Sequence, residues 1–156
     1  KLSGYNIIDG ITISNNELIN GLNHKIKNYN IFFKNKYSSG DLIRNKNNYY
    51  DIIIDNNLKS FACCSVSFND LIQKYKKYLK NTGFIITSLK GMNWSRIVKP
   101  VYSFSFKKLL HMRLKEFDGP PENIMGISDC KELCAKYELE MDIVSNDLII
   151  FKKKYE

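Results

Sequence analysis

The sequence predicts an α/β fold built on a mostly parallel sheet with helices on both faces, and three observations lead to it. Short apolar runs rich in isoleucine alternate with amphipathic segments at helical spacing. The run at residues 52–54 is β-branched and apolar at every position, which suits a strand that is buried on both faces. Two apolar runs close the chain, at residues 141–144 and 148–152, and predict a C-terminal antiparallel hairpin.

The first half of the chain supplies three strands and one helix. Residues 5–13 form an apolar run, which we predict to be a buried strand. Ser14 and Glu17 have the spacing of a capping box, in which each side chain accepts from the other residue's backbone N–H at a helix start. Leucine and isoleucine then recur at helical spacing. Three segments follow in order: a strand at residues 30–34, a polar loop at 35–48 and a strand at 50–55.

The second half predicts two helices around a further strand. The first helix opens near Ser67 and ends near Gly83, which would take the position just beyond the helix. Its predicted buried stripe comprises Phe68, Leu71, Ile72, Tyr75 and Leu79. A strand at residues 84–88 comes next. Residues 90–125 then interrupt the alternation as an insert or lid. Ser128 is predicted to cap a last helix, which runs to about Tyr137.

Composition fits one domain over residues 1–156, although the first residue is Lys1, so a fragment, a processed piece and part of a longer chain all stay open. The net charge of +8 favours an anionic partner, or reflects lysines scattered along the whole chain; the second interpretation is the simpler one. The four cysteines (Cys63, Cys64, Cys130 and Cys134) predict reduced thiols in a cytoplasmic protein. Two thiolates without nearby histidines make a poor zinc site, so no metal is expected. No apolar run is long enough to predict a membrane span.

This order of elements resembles the class I S-adenosylmethionine (SAM)-dependent methyltransferases, entered near the second strand of their Rossmann-like fold. The resemblance covers nearly the whole chain apart from residues 90–125, and the order and spacing of its motifs carry it more than any single motif does. It implies methyl transfer with SAM as the cofactor. It also implies that ligands lie at the carboxyl ends of the parallel strands.

The resemblance places the ribose of SAM beside the end of the first predicted strand. Thr12 and Ile13 occupy that end, within a variant similar to the branch of cyclopropane-fatty-acid synthases and sterol methyltransferases. In that branch a polar side chain of the following helix shares the ribose contact, and Glu17 stands there. A carboxylate accepts hydrogen bonds from hydroxyls. The alternative is that Glu17 only closes the capping box.

Two further motifs match the family pattern. Gly40-Asp41-Leu42 resembles the step after the third strand, where the aspartate accepts from the adenine amino group; an ordinary glycine-aspartate turn is the alternative. Asp55 and Asn56 follow the next strand, where the family places groups near the sulfonium and the acceptor. They are the candidate catalytic residues, since a carboxylate accepts a proton and an amide positions an acceptor, or they form a turn.

The insert carries the candidate acceptor-binding residues Trp94, Tyr102 and His111. Aromatic side chains among cations stack on bases or rings, but such residues also form the small core of an insert. A lone histidine is a candidate base and equally a structural residue. The acceptor is therefore left open between a small molecule and a nucleic acid.

One feature of the family is missing from the sequence. Its glycine-rich loop after strand one cradles the methionine end of SAM, and no Gly-x-Gly occurs in this chain. We expect either that an N-terminal segment or a second chain completes the sheet, or that the protein has lost cofactor binding. The alternative function is accordingly a noncatalytic, methyltransferase-like subunit that binds a protein or RNA partner.

Overall fold

The structure, a computed structural model, describes residues 7–38, 40–43, 46–56, 58–59, 65–89 and 125–154. The chain divides into two compact units, Lys1–Arg44 and Asn45–Glu156. The single domain over residues 1–156 stays a prediction. The predicted insert lies outside the described residues, except for Met125 at its end, which is buried.

The first unit is a strand–helix–strand motif. Its elements are β1 (Ile8–Thr12), α1 (Asn15–Asn23) and β2 (Tyr29–Phe33). β1 and β2 pair in parallel, with Ile8 opposite Tyr29 and Thr12 opposite Phe33. The sequence order of strand, helix and strand is confirmed here. Parallel pairing places the carboxyl ends of both strands at the same edge of this two-stranded sheet.

The start of α1 corrects the predicted capping box. Ser14 is the N-cap residue, and its Oγ accepts from the Glu17 N–H at 3.4 Å, as predicted. The reciprocal bond is not made, because the Ser14 N–H donates to Thr12 Oγ1 at 3.0 Å instead. The Glu17 carboxylate accepts from the Thr12 hydroxyl. Thr12 therefore competes successfully for both partners of the expected box.

The second unit contains a four-stranded sheet and two described helices. Its elements in chain order are β3 (Tyr50–Ile54), α2 (Ser65–Tyr78), β4 (Leu79–Ser88), α3 (Ile127–Tyr137), β5 (Leu139–Ile143) and β6 (Leu148–Lys153). The strand order is β3-β4-β6-β5. β3 and β4 are parallel, whereas β6 runs antiparallel to both β4 and β5. The described strands thus form two sheets rather than the single sheet that we predicted. The four-stranded sheet is mixed instead of mostly parallel, because antiparallel β6 lies between β4 and β5.

The junction of α2 and β4 also differs from the prediction. The sequence predicts that this helix ends near Gly83, but α2 ends at Tyr78 and β4 begins directly at Leu79. The pairing register with β3 shifts at this end of the strand. Gly83 lies within β4, where a Cβ atom would come 2.9 Å from the carbonyl oxygen of Asp51. The glycine therefore serves a close approach of two strands and does not cap a helix.

The start of α3 lies two residues earlier than predicted. Gly126 is the N-cap residue, so the expected cap at Ser128 is wrong. The Gly126 N–H donates to Asp129 Oδ2 at 2.6 Å. An acidic residue at this third helical position pairs with a free N-terminal donor and with the positive end of the helix dipole. Asp129 supplies the side-chain contribution that we expected from Ser128.

The core of the second unit lies between its sheet and its helices. The predicted stripe is confirmed for its four members on α2, which are all buried, whereas the fifth, Leu79, is a buried residue of β4. α2 contacts β4, and α3 contacts β5. Completely buried side chains of β4, β6 and the last helix include Ile85, Ile149, Phe151 and Cys130. Among the described helices, none is long and apolar enough to cross a membrane.

Candidate functional site

A hydroxyl–carboxylate pair marks the carboxyl end of β1. Thr12 is the last residue of this strand and is 7% exposed, and its hydroxyl donates to Glu17 Oε2 one helical turn into α1. Glu17 itself is exposed. Because the Thr12 hydroxyl fixes one carboxylate oxygen, the Glu17 carboxylate is oriented while it still faces solvent.

Lys34 connects this pair to the loop that follows β2. Its backbone N–H donates to the Thr12 carbonyl at 2.9 Å, and its ammonium donates to the Leu42 carbonyl at 2.9 Å. Leu42 is buried, so it fixes the end of the loop. Gly40 has a φ of 81°, which favours glycine, and Asp41 beside it is exposed. One lysine thus holds the two predicted cofactor-binding segments at the same sheet edge.

The chemistry of this edge matches a nucleoside. Glu17 and Asp41 present exposed carboxylates that accept from hydroxyl and amino groups. Ile13, between the strand and the helix, is 65% exposed and offers an apolar surface. The hydrogen bonds of Lys34 are made within the protein, to the end of β1 and to the loop. The carboxylate acceptors are of the kind that could hold the ribose and adenine parts of SAM, and the sequence contains no Gly-x-Gly for the methionine end.

A second hydroxyl–carboxylate pair lies in the other unit, at the carboxyl end of β3. Asp55 is 9% exposed, and its Oδ2 accepts from the Tyr75 hydroxyl of α2 at 2.9 Å. Its backbone N–H donates to Ile86 of β4 at 3.0 Å. Asn56 follows in a turn and is exposed. The pairing orients one carboxylate oxygen, and the catalytic roles of Asp55 and Asn56 stay predictions.

Sequence reasoning missed two residues of these arrangements. Tyr75 was predicted only as a core residue, although a tyrosine in an otherwise apolar stripe needs a partner for its hydroxyl. Lys34 was predicted only as the end of a strand, and its role depends on a loop conformation that no local pattern signals. The candidate acceptor-binding residues Trp94, Tyr102 and His111 lie outside the described residues.

The described cysteines, Cys130 and Cys134, are free thiols of α3. Burial, followed by the nearby Cys134 and Asp129, raises the pKa of the Cys130 thiol to about 12. A thiol in that state is protonated at neutral pH and is a poor nucleophile. Within the ranges that the structure describes, no three histidine, cysteine or acidic side chains come together as metal ligands.

Comparison with known proteins gives a result only at the level of structure. No protein-family model matches the chain, and no curated protein matches it in sequence. A SAM-dependent methyltransferase from Methanosarcina mazei superposes with a TM-score of 0.57 at 16% identity, covering 95% of this chain and 82% of that one. A Pyrococcus horikoshii protein gives 0.56 at 17% identity, over 97% and 73% of the two chains.

The chain has a Rossmann-like methyltransferase fold. Sequence identities this low establish the fold and leave activity and ligands to be argued from the residues. The predicted Rossmann-like fold is thereby confirmed at this coarse level, whereas membership of the methyltransferase family stays a prediction. The second unit supplies the four-stranded part of this fold, in which antiparallel β6 lies between β4 and β5.

Proposed function

We propose that this protein takes part in SAM-dependent methyl transfer and that its first unit holds the nucleoside part of the cofactor. The observation that carries the proposal is the link from Thr12 and Glu17 through Lys34 to Leu42 at the carboxyl ends of β1 and β2. Open α/β sheets bind their ligands at this edge. The fold shared with a methyltransferase supports the same assignment.

Each residue of this edge has a distinct role in the proposal. Glu17 accepts hydrogen bonds from the ribose hydroxyls, and Thr12 keeps its carboxylate in place. Asp41 accepts from the adenine amino group, while Gly40 and Leu42 set the loop that carries it. Ile13 offers an apolar contact. When bound, SAM supplies a sulfonium methyl group, which a nucleophilic atom of the acceptor takes up as S-adenosylhomocysteine leaves.

The candidate acceptor residues Asp55 and Asn56 belong to the second unit. Asp55 would orient the acceptor or receive its proton, with Tyr75 fixing the carboxylate, and Asn56 would hold an amine or hydroxyl in line. Trp94, Tyr102 and His111 would form the acceptor wall. The acceptor itself is a small molecule or a nucleic acid.

We further propose that β3 takes an additional strand from an N-terminal segment or from a second chain. The Asp55 N–H bonds to β4, so the alternation along β3 directs the N–H and C=O of Ile52 and Ile54 to its other edge. No described strand pairs there. A run of isoleucines is typical of an interior strand and is hazardous at an exposed edge.

The free thiols of Cys130 and Cys134 fit the cytoplasm as the location.

The alternative is a noncatalytic, methyltransferase-like subunit with a protein or RNA partner. The absence of any Gly-x-Gly from the sequence favours it, because the methionine end of SAM then lacks its usual backbone cradle. The two proposals differ in one measurable property, which is whether the folded protein binds the nucleoside.

Calorimetric titration of the protein with S-adenosylhomocysteine, and separately with methylthioadenosine, tests this. We expect saturable binding of both ligands, because the described residues contact only the shared nucleoside. Glu17→Gln should weaken both affinities about tenfold, which corresponds to about 1.4 kcal/mol.

The matched control for this titration is Glu132→Gln. Glu132 is an exposed glutamate of α3, in the other unit, so its substitution should leave both affinities unchanged. Folded protein that binds neither ligand would overturn the nucleoside assignment and favour the noncatalytic subunit. Equal effects of Glu17→Gln and Glu132→Gln would refute the role of Glu17.

A further inference from the structure

An open cleft of about 800 Å³ lies at the opposite end of β3 from Asp55. It forms where α2 ends and β6 ends, next to the residues that lead into β3. Asn48, two residues before β3, donates its N–H to the Lys77 carbonyl at 2.9 Å and so joins the two sides. With a rise of roughly 3.3 Å per residue, five-residue β3 separates the cleft from the Asp55 end by about 17 Å.

The lining of this cleft is strongly cationic. It includes Lys76 and Lys77 of α2 together with Lys153 and Lys154 at the end of β6, against the single carboxylate of Glu138. The remaining lining side chains are amides, such as Gln73. Lysines are frequent throughout this sequence, but four of them converge here on one concave surface.

Two of these ammonium groups are held in place by backbone carbonyls. Lys76 Nζ donates to the Tyr137 carbonyl at 2.5 Å, and Lys153 Nζ donates to the Leu79 carbonyl at 2.6 Å. Lys153 Nζ also lies 3.3 Å from the amide oxygens of Asn48 and Asn81, to which it donates. Neutral carbonyls orient a cation without cancelling its charge. Lys76 also lies 3.5 Å from the Glu138 carboxylate, which is largely exposed and therefore screened.

The positive charges in the cleft act on one another. The pKa of Lys153 is lowered, first by its burial and second by the charge of Lys76. Burial is the larger of the two causes, and the second shows that Lys76 and Lys153 lie close enough to repel each other. Repulsion of this kind is relieved when an anion enters between the ammonium groups.

The character of the lining identifies the class of anion. Among the described residues that line the cleft, none is aromatic and none is aliphatic. A pocket for a base or another ring would need such surfaces. Lysines with amides instead match the phosphates and sugars of a strand, which proteins contact without reading its sequence.

We propose that this cleft binds the phosphate backbone of a nucleic acid strand. The binding is independent of base sequence and strongly dependent on salt, because bound lysines displace condensed counterions. It does not rest on methyl transfer, since no residue of the cleft belongs to the nucleoside-binding edge. Should the acceptor be a nucleic acid, the cleft would anchor it at a distance from Asp55.

The test is the fluorescence anisotropy of a labelled single-stranded RNA of about 20 nucleotides, which exceeds the site sizes of roughly 4–16 nucleotides of single-strand-binding domains. The variant is Lys77→Glu/Lys154→Glu, because both side chains are exposed and their reversal spares the two anchored ammonium groups. The control is Lys27→Glu/Lys131→Glu, two exposed lysines outside the cleft with the same change in net charge.

We expect the cleft variant to bind at least tenfold more weakly than the control. Its slope of log affinity against log salt should also be shallower by about 0.7 for each phosphate that the variant no longer neutralises. Equal affinities of the two variants would overturn the proposal. So would displacement of the RNA by inorganic triphosphate at an equal phosphate concentration, which would assign the cleft to a small phosphate compound. Neither result depends on the titration with S-adenosylhomocysteine.

Discussion

The two compact units of this chain bury very different amounts of apolar surface. In the second unit, α2, α3 and the four-stranded sheet enclose side chains such as Leu71, Ile85 and Phe151 completely. In the described part of the first unit, only Thr12 and Leu42 are buried, and α1 has no buried residue. Several of its large apolar side chains are exposed instead: Ile13, Ile19, Leu22, Ile26 and Phe33.

This difference shows which forces act in each unit. Burial of apolar surface is the main stabilising contribution in the second unit, and its strands reach a length and number that can stand alone. A two-stranded sheet is marginal by itself. The first unit relies on specific polar contacts, above all those of Thr12, Glu17 and Lys34. The unit with the weaker core is thus the one that carries the proposed nucleoside contacts.

The largest expected effect is the loss of a buried side chain from the second unit. Ile85→Ala removes a side chain with 0% exposure from β4, and we expect it to lower the free energy of unfolding by about 2–5 kcal/mol. Leu22→Ala, the matched truncation in α1, removes a side chain with 60% exposure and should change it by less than about 0.5 kcal/mol. Urea unfolding gives the totals, and hydrogen exchange assigns them to the units.

A large loss of unfolding free energy in Leu22→Ala would contradict this contrast between the two units. It would mean that the apolar side of α1 is covered in the folded protein by a segment outside the described residues or by another molecule. A small cost for Ile85→Ala would contradict the core of the second unit. Both results are informative because each variant removes the same kind of apolar surface.

The sequence predicts elements more reliably than their ends. The apolar stripe of α2 could be read directly, since burial at helical spacing leaves a regular pattern. The end of that helix could not, because Gly83 fits a helix terminus and a close strand approach equally well. The Thr12–Glu17 bond was also hidden, since Ser14 offered the same glutamate a familiar local partner. Long-range packing decides between such local choices.

The candidate site was predictable only in part, for the same reason. Thr12, Glu17, Asp41 and Asp55 were named as candidates from the family resemblance, and their roles stay predictions. Their partners Tyr75 and Lys34 come from elements whose local pattern has another explanation. Pairs that join distant segments need the three-dimensional structure.

The two hydroxyl–carboxylate pairs allow the two units to be compared through the same type of hydrogen bond. Tyr75→Phe leaves the carboxylate of Asp55 buried without its tyrosine donor, and we expect a loss of about 1.5–3 kcal/mol in unfolding free energy. Thr12→Val removes the equivalent donor from Glu17, which is exposed and can bind water instead, together with the Oγ1 that accepts from the Ser14 N–H. About 0.5–1.5 kcal/mol is expected for the two bonds together. Urea unfolding of both variants measures the difference. Equal losses would show that the Glu17 pair is as shielded from water as the Asp55 pair.

The last and most gradual effect is a dependence of the free energy of unfolding on pH, which arises in the second unit alone. All four cysteines lie outside residues 1–44, and Cys130 is completely buried. Its pKa is raised from 9.0 to about 12 in the folded protein, mainly by burial. Above about pH 9 the unfolded chain therefore loses a proton that the folded chain keeps, and stability falls by about 1.4 kcal/mol per pH unit. Below that pH both states keep the proton, and this group contributes no slope.

Urea unfolding between about pH 8 and pH 10 checks this dependence. In Cys130→Ala the slope above pH 9 should become shallower. The slope that remains includes the part due to Cys134, whose pKa is also raised by burial. An unchanged slope in Cys130→Ala would show that water reaches this thiol. The core around α3 would then be more accessible to water than the burial of its side chains implies. Because residues 1–44 contain no cysteine, the difference in slope between Cys130→Ala and the unchanged protein reports on the second unit. Lys153, whose pKa is lowered by burial, titrates in the same unit and contributes to the total slope.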